Sequence, residues 1–288
     1  MKKVAVFGGS GFLGSHVVDK LVAKGLDVIV CDKIKSIHLN ESITFKECNI
    51  MNLDEVKKVV KECQIVYNFA ALADLNDAKS KPLETININI LGNANILEAC
   101  KEYSIDRFIY ASTVYVYGRE GGFYRCSKKA AEDYVKEYSN TYNLNYTILQ
   151  FGSLYGPRSD STNGLYRIVE SAIKTGFLKY DGNPNSKRSY IHVEDAAEGS
   201  VEILNEDYTN ESVILSGQEP MKIIDMLKTL AEILGISEDK IKFSDIPQSG
   251  HYIMTPYSYS NDIGKKYIPV KHIDLGQGLL QLIHIIDN

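Results

Sequence analysis

The sequence predicts an α/β fold: a doubly wound parallel sheet followed by a smaller mixed α/β C-terminal domain. Three observations predict it. Short apolar runs alternate strictly with helical patterns from the N-terminus to Phe151, and such alternation implies parallel strands joined by right-handed helical crossovers. The first run, Val4-Ala5-Val6-Phe7, is apolar throughout, as a strand covered on both faces must be. A turn rich in glycine, Gly8-Gly9-Ser10-Gly11-Phe12-Leu13-Gly14, joins that run to a helical pattern with Leu13, Val17, Val18, Leu21 and Val22 on one face.

Gly8, Gly11 and Gly14 fall at G-x-x-G-x-x-G spacing. At a strand-to-helix junction, glycine permits a tight turn, lets the backbone approach a pyrophosphate, and lets helix pack on strand. The N–H groups of Phe12 and Leu13 then face the phosphates at the positive end of the helix dipole. A second apolar strand, Val28–Cys31, ends at Asp32, 18 residues beyond Gly14. A carboxylate there holds the ribose hydroxyls of an adenine dinucleotide. The pattern is that of a Rossmann-type dinucleotide site. Asp32 repels a 2′-phosphate, so NAD is expected over NADP, with Lys33 and Lys35 moderating that preference.

The remaining elements follow in order. A polar loop leads to a strand over 43–48, and Asn49-Ile50 at its end are placed to flank an adenine ring. Residues 52–60 form a short amphipathic helix with Leu53, Val56, Val59 and Val60 inward. Residues 64–69 form the fourth strand, after which the small Ala70 and Ala71 let the backbone pass close to a cofactor. Pro82 suits the first turn of a helix expected to run to about Tyr103. Residues 106–111 are the fifth strand, about 124–142 a helix, and 146–151 the sixth strand. Beyond Phe151 the regularity loosens into turn clusters, four helical patterns (about 165–175, 193–204, 223–234 and 275–286) and short strands over 189–192, 213–215 and 241–243. We therefore expect a dinucleotide domain over 1–152, also receiving about 187–205, and a smaller substrate domain over 153–288. Ligands in such sheets lie beyond the carboxyl ends of the strands.

The 288 residues are 44% apolar and carry a net charge of −5, ample for a core and without the basic excess that nucleic acid or an anionic membrane would call for. No apolar run approaches the ~20 residues of a membrane span. The five cysteines include no C-x-x-C pair, which suits free thiols and a cytoplasmic location. The six histidines are scattered, so no metal site is expected.

The chemistry concentrates after the fifth strand, which delivers Ser112-Thr113 into the cleft. Tyr124 and Lys128 follow in a Y-x-x-x-K and share one helical face. An ammonium beside a phenol favours the phenolate and lowers its pKa from about 10. Tyr124 is then a general base for a sugar hydroxyl while hydride leaves for NAD; Thr113 holds the same hydroxyl and Lys128 the nicotinamide ribose.

In this order the motifs resemble the extended short-chain dehydrogenase/reductases, specifically the nucleotide-sugar epimerases and dehydratases. The matching pieces are the glycine loop, Asp32, Ala70-Ala71, Asn89-Ile90-Leu91-Gly92, Ser112-Thr113 before Val116-Tyr117-Gly118, Tyr124 to Lys128, Leu154 to Arg158, and Arg188 to Asp195. The resemblance implies a Rossmann domain with NAD, Asn89 among the cofactor-binding residues, a nucleotide-diphosphate sugar such as a UDP-sugar under the small domain, and a homodimer pairing helices 82–103 and 124–142.

Departures from the family pattern narrow the reaction. Only five residues separate Gly118 from Tyr124, where relatives carry a longer loop. Val114 and Tyr115 stand where dehydratases have Asp-Glu, which disfavours dehydration and decarboxylation. Cys126 lies off the Tyr124–Lys128 face and is expected to be packing. Ser153 replaces a common Asn against the diphosphate and Gln150 a common Arg. Arg188 is then the expected diphosphate clamp, with Tyr190 and His251 alongside and Arg158 and Lys187 as further candidates. What remains is oxidation and re-reduction at one carbon: a 4-epimerase, with a keto-sugar reductase or a non-catalytic dinucleotide sensor as alternatives.

Overall fold

The structure is a computed structural model describing residues 2–244, 250–259 and 263–287. Its strands are β1 (Lys3–Phe7), β2 (Asp27–Asp32), β3 (Thr44–Glu47), β4 (Ile65–Asn68), β5 (Arg107–Thr113), β6 (Tyr146–Phe151), β7 (Ser153–Tyr155), β8 (Leu178–Asp181), β9 (Lys187–Arg188), β10 (Tyr190–His192), β11 (Glu211–Leu215), β12 (Met221–Lys222), β13 (Ile241–Ser244) and β14 (Lys265–Lys266). Its helices are α1 (Phe12–Ala23), α2 (Leu53–Val60), α3 (Leu75–Ser80), α4 (Pro82–Ile86), α5 (Asn93–Glu102), α6 (Gly122–Tyr142), α7 (Gly164–Thr175), α8 (Val193–Glu202), α9 (Ile223–Leu234) and α10 (Leu275–Asp287).

Among the described residues, eight strands form one sheet in the order β14-β11-β6-β5-β4-β1-β2-β3. Every pairing in it is parallel. Side chains alternate along each strand, so β1 sends Val4 and Val6 to one core layer and Ala5 and Phe7 to the other. The first layer packs under α1 and α8. It closes tightly because α8 offers Ala196, Ala197, Gly199 and Ser200; the Tyr67 hydroxyl donates to the Ser200 carbonyl at 2.8 Å, and Lys20 pairs with Glu198 at 3.0 Å. The second layer packs under α2, α5 and α6 through Val56, Ile96, Leu97, Ala131 and Val135. Burying each Val or Leu contributes about 1.5–3 kcal/mol.

The strand order reverses between β1 and β4, which opens the crevice of a doubly wound sheet at their carboxyl ends. A third core, around Leu165, Val169, Leu178, Leu227, Leu230, Leu279 and Leu282, joins α7, α9, α10 and β8.

The structure differs from the sequence expectations in four places. β11 and β14, from the second half, continue the large sheet: Val213, Ile214 and Leu215 are fully buried there. The helix expected over 82–103 is α4, a π-helical turn over Asn87–Gly92, and α5. Gly92 permits this turn to lie on Ile50, whose side chain would be 2.6 Å from a Cβ at that position. α6 begins at Gly122, just after Gly121 in the left-handed region (φ +97°). The short α3 went unpredicted because Ala78 alone of its side chains is buried, which leaves no periodic stripe to read.

Candidate active site

The dinucleotide half of the site is built from the loops after β1, β2 and β4. Gly8 sits at φ +76°, and a Cβ on it would lie 2.4 Å from the amide nitrogen of Ala70, so the two loops touch only because Gly8 has no side chain. A Cβ on Gly14 would lie 2.1 Å from the Gly8 carbonyl oxygen, holding α1 hard against the turn. Gly11 is the N-cap of α1 with no capping side chain, leaving first-turn N–H groups free for an anion. Beside them lies a pocket of about 330 Å³ lined by Ser10, Gly11, Phe12, Ser15, Ser36, His38 and Arg158, among others. The Asp32 carboxylate accepts from the Ser10 N–H at 3.1 Å and the Lys33 N–H at 2.8 Å, which fixes it at the mouth of the turn with lone pairs left for ribose hydroxyls. This cradle fits a dinucleotide. Phe12 lies edge-on to His16, and Leu13 places its side chain in the core, leaving only backbone to the site.

Several expected cofactor residues are used otherwise. Asn89 is buried, and its amide is spent within the protein. Its Oδ1 accepts from the Leu72 N–H at 2.8 Å, while Nδ2 donates to the Leu72 carbonyl at 3.0 Å and to Ser127 Oγ at 2.9 Å. It therefore ties the loop after β4 to α6. Ile50 is buried against Gly92 in the core. Asn49 is exposed and accepts from the Met51 N–H. The Ala70 N–H is taken by Asn68 Oδ1 at 3.1 Å, and Ala71 is half-buried beside it.

Thr113, Tyr124 and Lys128 converge at the carboxyl end of β5 and the first two turns of α6. Thr113 Oγ1 accepts from the Tyr115 N–H at 3.3 Å. Ser127 Oγ donates to the Tyr124 carbonyl at 2.8 Å. Lys128 is buried; its Nζ donates to the Ala111 carbonyl at 2.8 Å and lies 4.9 Å from the Tyr110 ring centroid and 6.0 Å from that of Tyr124. The expectation that Lys128 draws the phenol toward neutrality is not met in the free protein. Burial pushes the Tyr124 phenol up to about 12, with the Thr113 hydroxyl, as hydrogen-bond partner, drawing it partly back. Burial likewise draws the Lys128 ammonium down to about 7, against a raising influence from Glu132. Desolvation penalises both charged forms, and at this separation it outweighs their coupling. Cys126 is exposed rather than packed.

On the substrate side, Ser153 and Tyr190 pair in register across β7 and β10, and Tyr190 lies edge-on to Tyr155. Arg188 is 6% exposed. Its guanidinium donates to the carbonyls of Tyr252 and Lys187 and to the Tyr180 hydroxyl, and stacks 4.7 Å from the Tyr252 ring centroid. Arg158 is paired with Asp19 at 2.6 Å, and Lys187 gives its N–H to the Ile253 carbonyl. His251 is no cation for a diphosphate: burial first, then Arg188 and Arg167, bring its imidazole down to about 4. It stands instead beside Tyr115, Nδ1 to Oη 2.7 Å.

Sequence reasoning named His251 for this site but missed that Tyr252 and Tyr257, from the same stretch, come with it. Tyr252 lies 4.9 Å from the Tyr115 ring centroid, and the Tyr257 hydroxyl bonds Ser189 Oγ at 3.0 Å. The available signal was the shortness of the 119–123 connection. Among the described residues there is no cluster of His, Cys, Asp and Glu able to hold a metal, and no helix long and apolar enough to cross a membrane.

A glycine cradle with a ribose carboxylate at the end of β1 and β2, together with a Thr–Tyr–Lys set at the end of β5 and the start of α6, defines an extended short-chain dehydrogenase/reductase. The chain belongs to the NAD dependent epimerase/dehydratase family, whose profile matches residues 4–215. It is 27% identical, over 99% of its length and 98% of the relative's, to a protein of Methanocaldococcus jannaschii named "Putative UDP-glucose 4-epimerase". It is 30% identical to the CapI protein of Staphylococcus aureus over 68% of this chain and 67% of that one. The fold is shared with UDP-glucose 4-epimerase of Thermotoga maritima, solved with UDP-glucose, at a TM-score of 0.87 and 24% identity over 99% and 98% of the two chains. It is shared too with UDP-glucuronic acid 4-epimerase of Bacillus cereus, solved with UDP-glucuronic acid and NAD, at a TM-score of 0.85 and 24% identity over 99% of each chain.

Proposed function

We propose that this chain is an NAD-dependent nucleotide-diphosphate-sugar 4-epimerase, with a UDP-sugar as substrate. One observation carries the reading. The Thr113 hydroxyl is a hydrogen-bond partner of the Tyr124 phenol at the carboxyl end of β5, two strands across the sheet from β1 and its glycine turn, and the residues that follow Thr113, Val114 and Tyr115, bring no carboxyl group. Dehydration needs a carboxyl acid–base pair there; epimerisation needs only one proton acceptor.

NAD supplies a reversible hydride acceptor when bound. Asp32 would hold its adenosine ribose, and the N–H groups of Phe12 and Leu13 would hold its phosphates. Tyr124 takes the proton of the C4 hydroxyl and later returns it, while Thr113 fixes that oxygen by hydrogen bond. Lys128, with a pKa of about 7, holds the nicotinamide ribose and keeps a titratable ammonium one helical turn from the phenol. Ser153, Tyr190 and Arg188 line the route to the nucleotide diphosphate. Arg188 reaches the phosphates by exchanging its internal partners, since guanidinium binds phosphate bidentately. Inverting C4 would need the pocket to let the 4-keto sugar turn over, so that hydride returns to its opposite face and Tyr124 gives back the proton.

The chain acts as a homodimer in the cytoplasm. Exposed apolar residues on α4 to α6, including Leu83 (75%), Leu91 (48%), Tyr134 (51%) and Tyr142 (50%), supply the interface. The test is incubation with UDP-glucose and UDP-glucuronic acid without added NADH. C4 epimers should appear and approach equilibrium from either side. Turnover that needs stoichiometric NADH or NADPH would make the protein a reductase, and no turnover with any nucleotide sugar would sink the enzyme reading.

A further inference from the structure

Residues 250–257 form a roof fastened to both sides of the cleft. On one side the Gly121 N–H donates to the Gly250 carbonyl at 2.8 Å, and a Cβ on Gly118 would lie 3.0 Å from Pro256 Cβ. On the other side the Lys187 N–H donates to the Ile253 carbonyl at 2.8 Å. Tyr257 anchors the far end on Ser189 and Ser216. The roof thus covers the place that the five-residue 119–123 connection leaves open, and it carries one polar ring to the edge of the reaction centre. That ring is His251, whose Nδ1 lies 2.7 Å from Tyr115 Oη. Tyr115 in turn lies edge-on to Tyr124, ring centroids 6.4 Å apart.

The pair is uncharged. Burial holds the Tyr115 phenol well above its ordinary range, and the imidazole is down at about 4. In either tautomer, one hydrogen joins the two rings and one donor is left over. If the phenol donates, the imidazole Nε2–H remains; if Nδ1–H donates, the phenol O–H remains. One free donor beside the phenol that takes the C4 proton matches a neutral oxygen acceptor on the same sugar. It matches a carboxylate less well, since neither ring is charged and Arg188, whose charge reaches both rings, is held by the Lys187 and Tyr252 carbonyls and the Tyr180 hydroxyl.

We propose that Tyr115 and His251 are a specificity-determining pair that binds an uncharged oxygen substituent of the sugar, a hydroxyl or an amide carbonyl. This assignment rests on the nucleotide-sugar reading above. It makes uncharged hexoses the preferred substrates over hexuronic acids, and it explains why a tyrosine can stand where a carboxyl residue would serve other chemistry.

Calorimetric binding of UDP, UDP-glucose and UDP-glucuronic acid tests it on NAD-loaded protein carrying Tyr124→Phe, which holds turnover still. The ratio of the UDP to the UDP-glucose dissociation constant measures what the glucose contributes. Tyr115→Phe or His251→Leu alone leaves the other ring with one free donor, so the two are added together. Removing both donors should lower that ratio about tenfold, the scale of a lost hydrogen bond in a closed site, while UDP binds within twofold as before. Tyr115→Phe with His251→Gln, which restores a side-chain donor, should recover part of it. The parent protein should prefer UDP-glucose to UDP-glucuronic acid. An unchanged ratio, or an equal loss for UDP and UDP-glucose, would reduce the pair to a structural roof contact and overturn the inference while leaving the epimerase reading intact. Tighter binding of UDP-glucuronic acid would overturn the neutral-acceptor assignment. Failure of the parent protein to bind UDP at all would overturn the nucleotide-sugar reading and the inference with it.

Discussion

Lys128 Nζ donates a 2.8 Å hydrogen bond to the carbonyl oxygen of Ala111, two residues before Thr113 on β5. That bond fixes α6 against the strand and takes the ammonium out of water. The consequence is a pH-dependent stability. The unfolded lysine keeps its proton up to about 10.5, whereas the buried one releases it near 7. Between those values the unfolded state binds more protons, so stability rises with pH. The penalty is fully present below the folded pKa and vanishes above the unfolded one. We expect the urea midpoint of the NAD-free protein to rise from pH 7 to about 8 and to rise less in Lys128→Met. The window closes there because burial raises the thiol pKa values of Cys31, Cys48, Cys63 and Cys100, which costs stability once the unfolded thiols ionise at about 8.5. Parallel profiles for the two proteins would place the Lys128 ammonium in water.

Tyr124 carries the second prediction. With the phenol up at about 12 in the free protein, proton transfer at neutral pH depends on positive charge brought by NAD and retained by Lys128. Tyr124→Phe should cut epimerisation by about 10²–10⁴-fold, the usual worth of a positioned general base, with the NAD content of the purified protein close to wild type. Turnover within tenfold of wild type would remove Tyr124 from the chemistry.

Asn89 tests whether α6 is set by the loop after β4. All three of its hydrogen bonds lie inside the protein. Asn89→Leu keeps the volume and strands the Leu72 N–H and carbonyl, which should cost about 1–3 kcal/mol for each buried group left unpaired. Urea unfolding reads the stability loss, and kcat should fall with it because Ser127, the other end of the network, also holds the Tyr124 carbonyl. A stable variant with full kcat would show that the loop and helix keep their places without the bridge.

These cases show what the sequence can and cannot reveal. The parallel sheet and the glycine turn were legible because apolar runs and glycine spacing are local patterns. So was the meeting of Thr113, Tyr124 and Lys128, since one strand and the next helix carry them. The internal bonds of Asn89 were not legible, because the resemblance names the residue while a π-helical turn over Asn87–Gly92 sets where its amide points. The pKa values of Tyr124 and Lys128 were misjudged because sequence supplies the neighbour but not the depth of burial. His251 stands 136 residues from Tyr115, and no local pattern reports a contact that the folding of 250–257 alone creates.

The last prediction concerns assembly. Single exposed apolar side chains are ordinary on a protein surface, but here several fall on adjoining helices. Leu83, Ile86 and Leu91 lie on the run from α4 to α5, and Phe123, Tyr134 and Tyr142 on α6, each at least 48% exposed. Exposed apolar side chains gathered on adjoining helices suit an interaction surface, and a two-fold axis lets one such face cover its own copy. Light scattering behind size exclusion should give twice the 32.2 kDa chain mass. Leu83→Glu with Tyr134→Glu should shift the protein to monomer, because two carboxylates on each side would be buried without partners. Their positions lie away from Thr113, Tyr124 and Lys128, so NAD content measured on the same fractions reports whether each protomer stays folded. A wild-type protein that elutes as a monomer at micromolar concentration would leave the patch without a second copy to cover it.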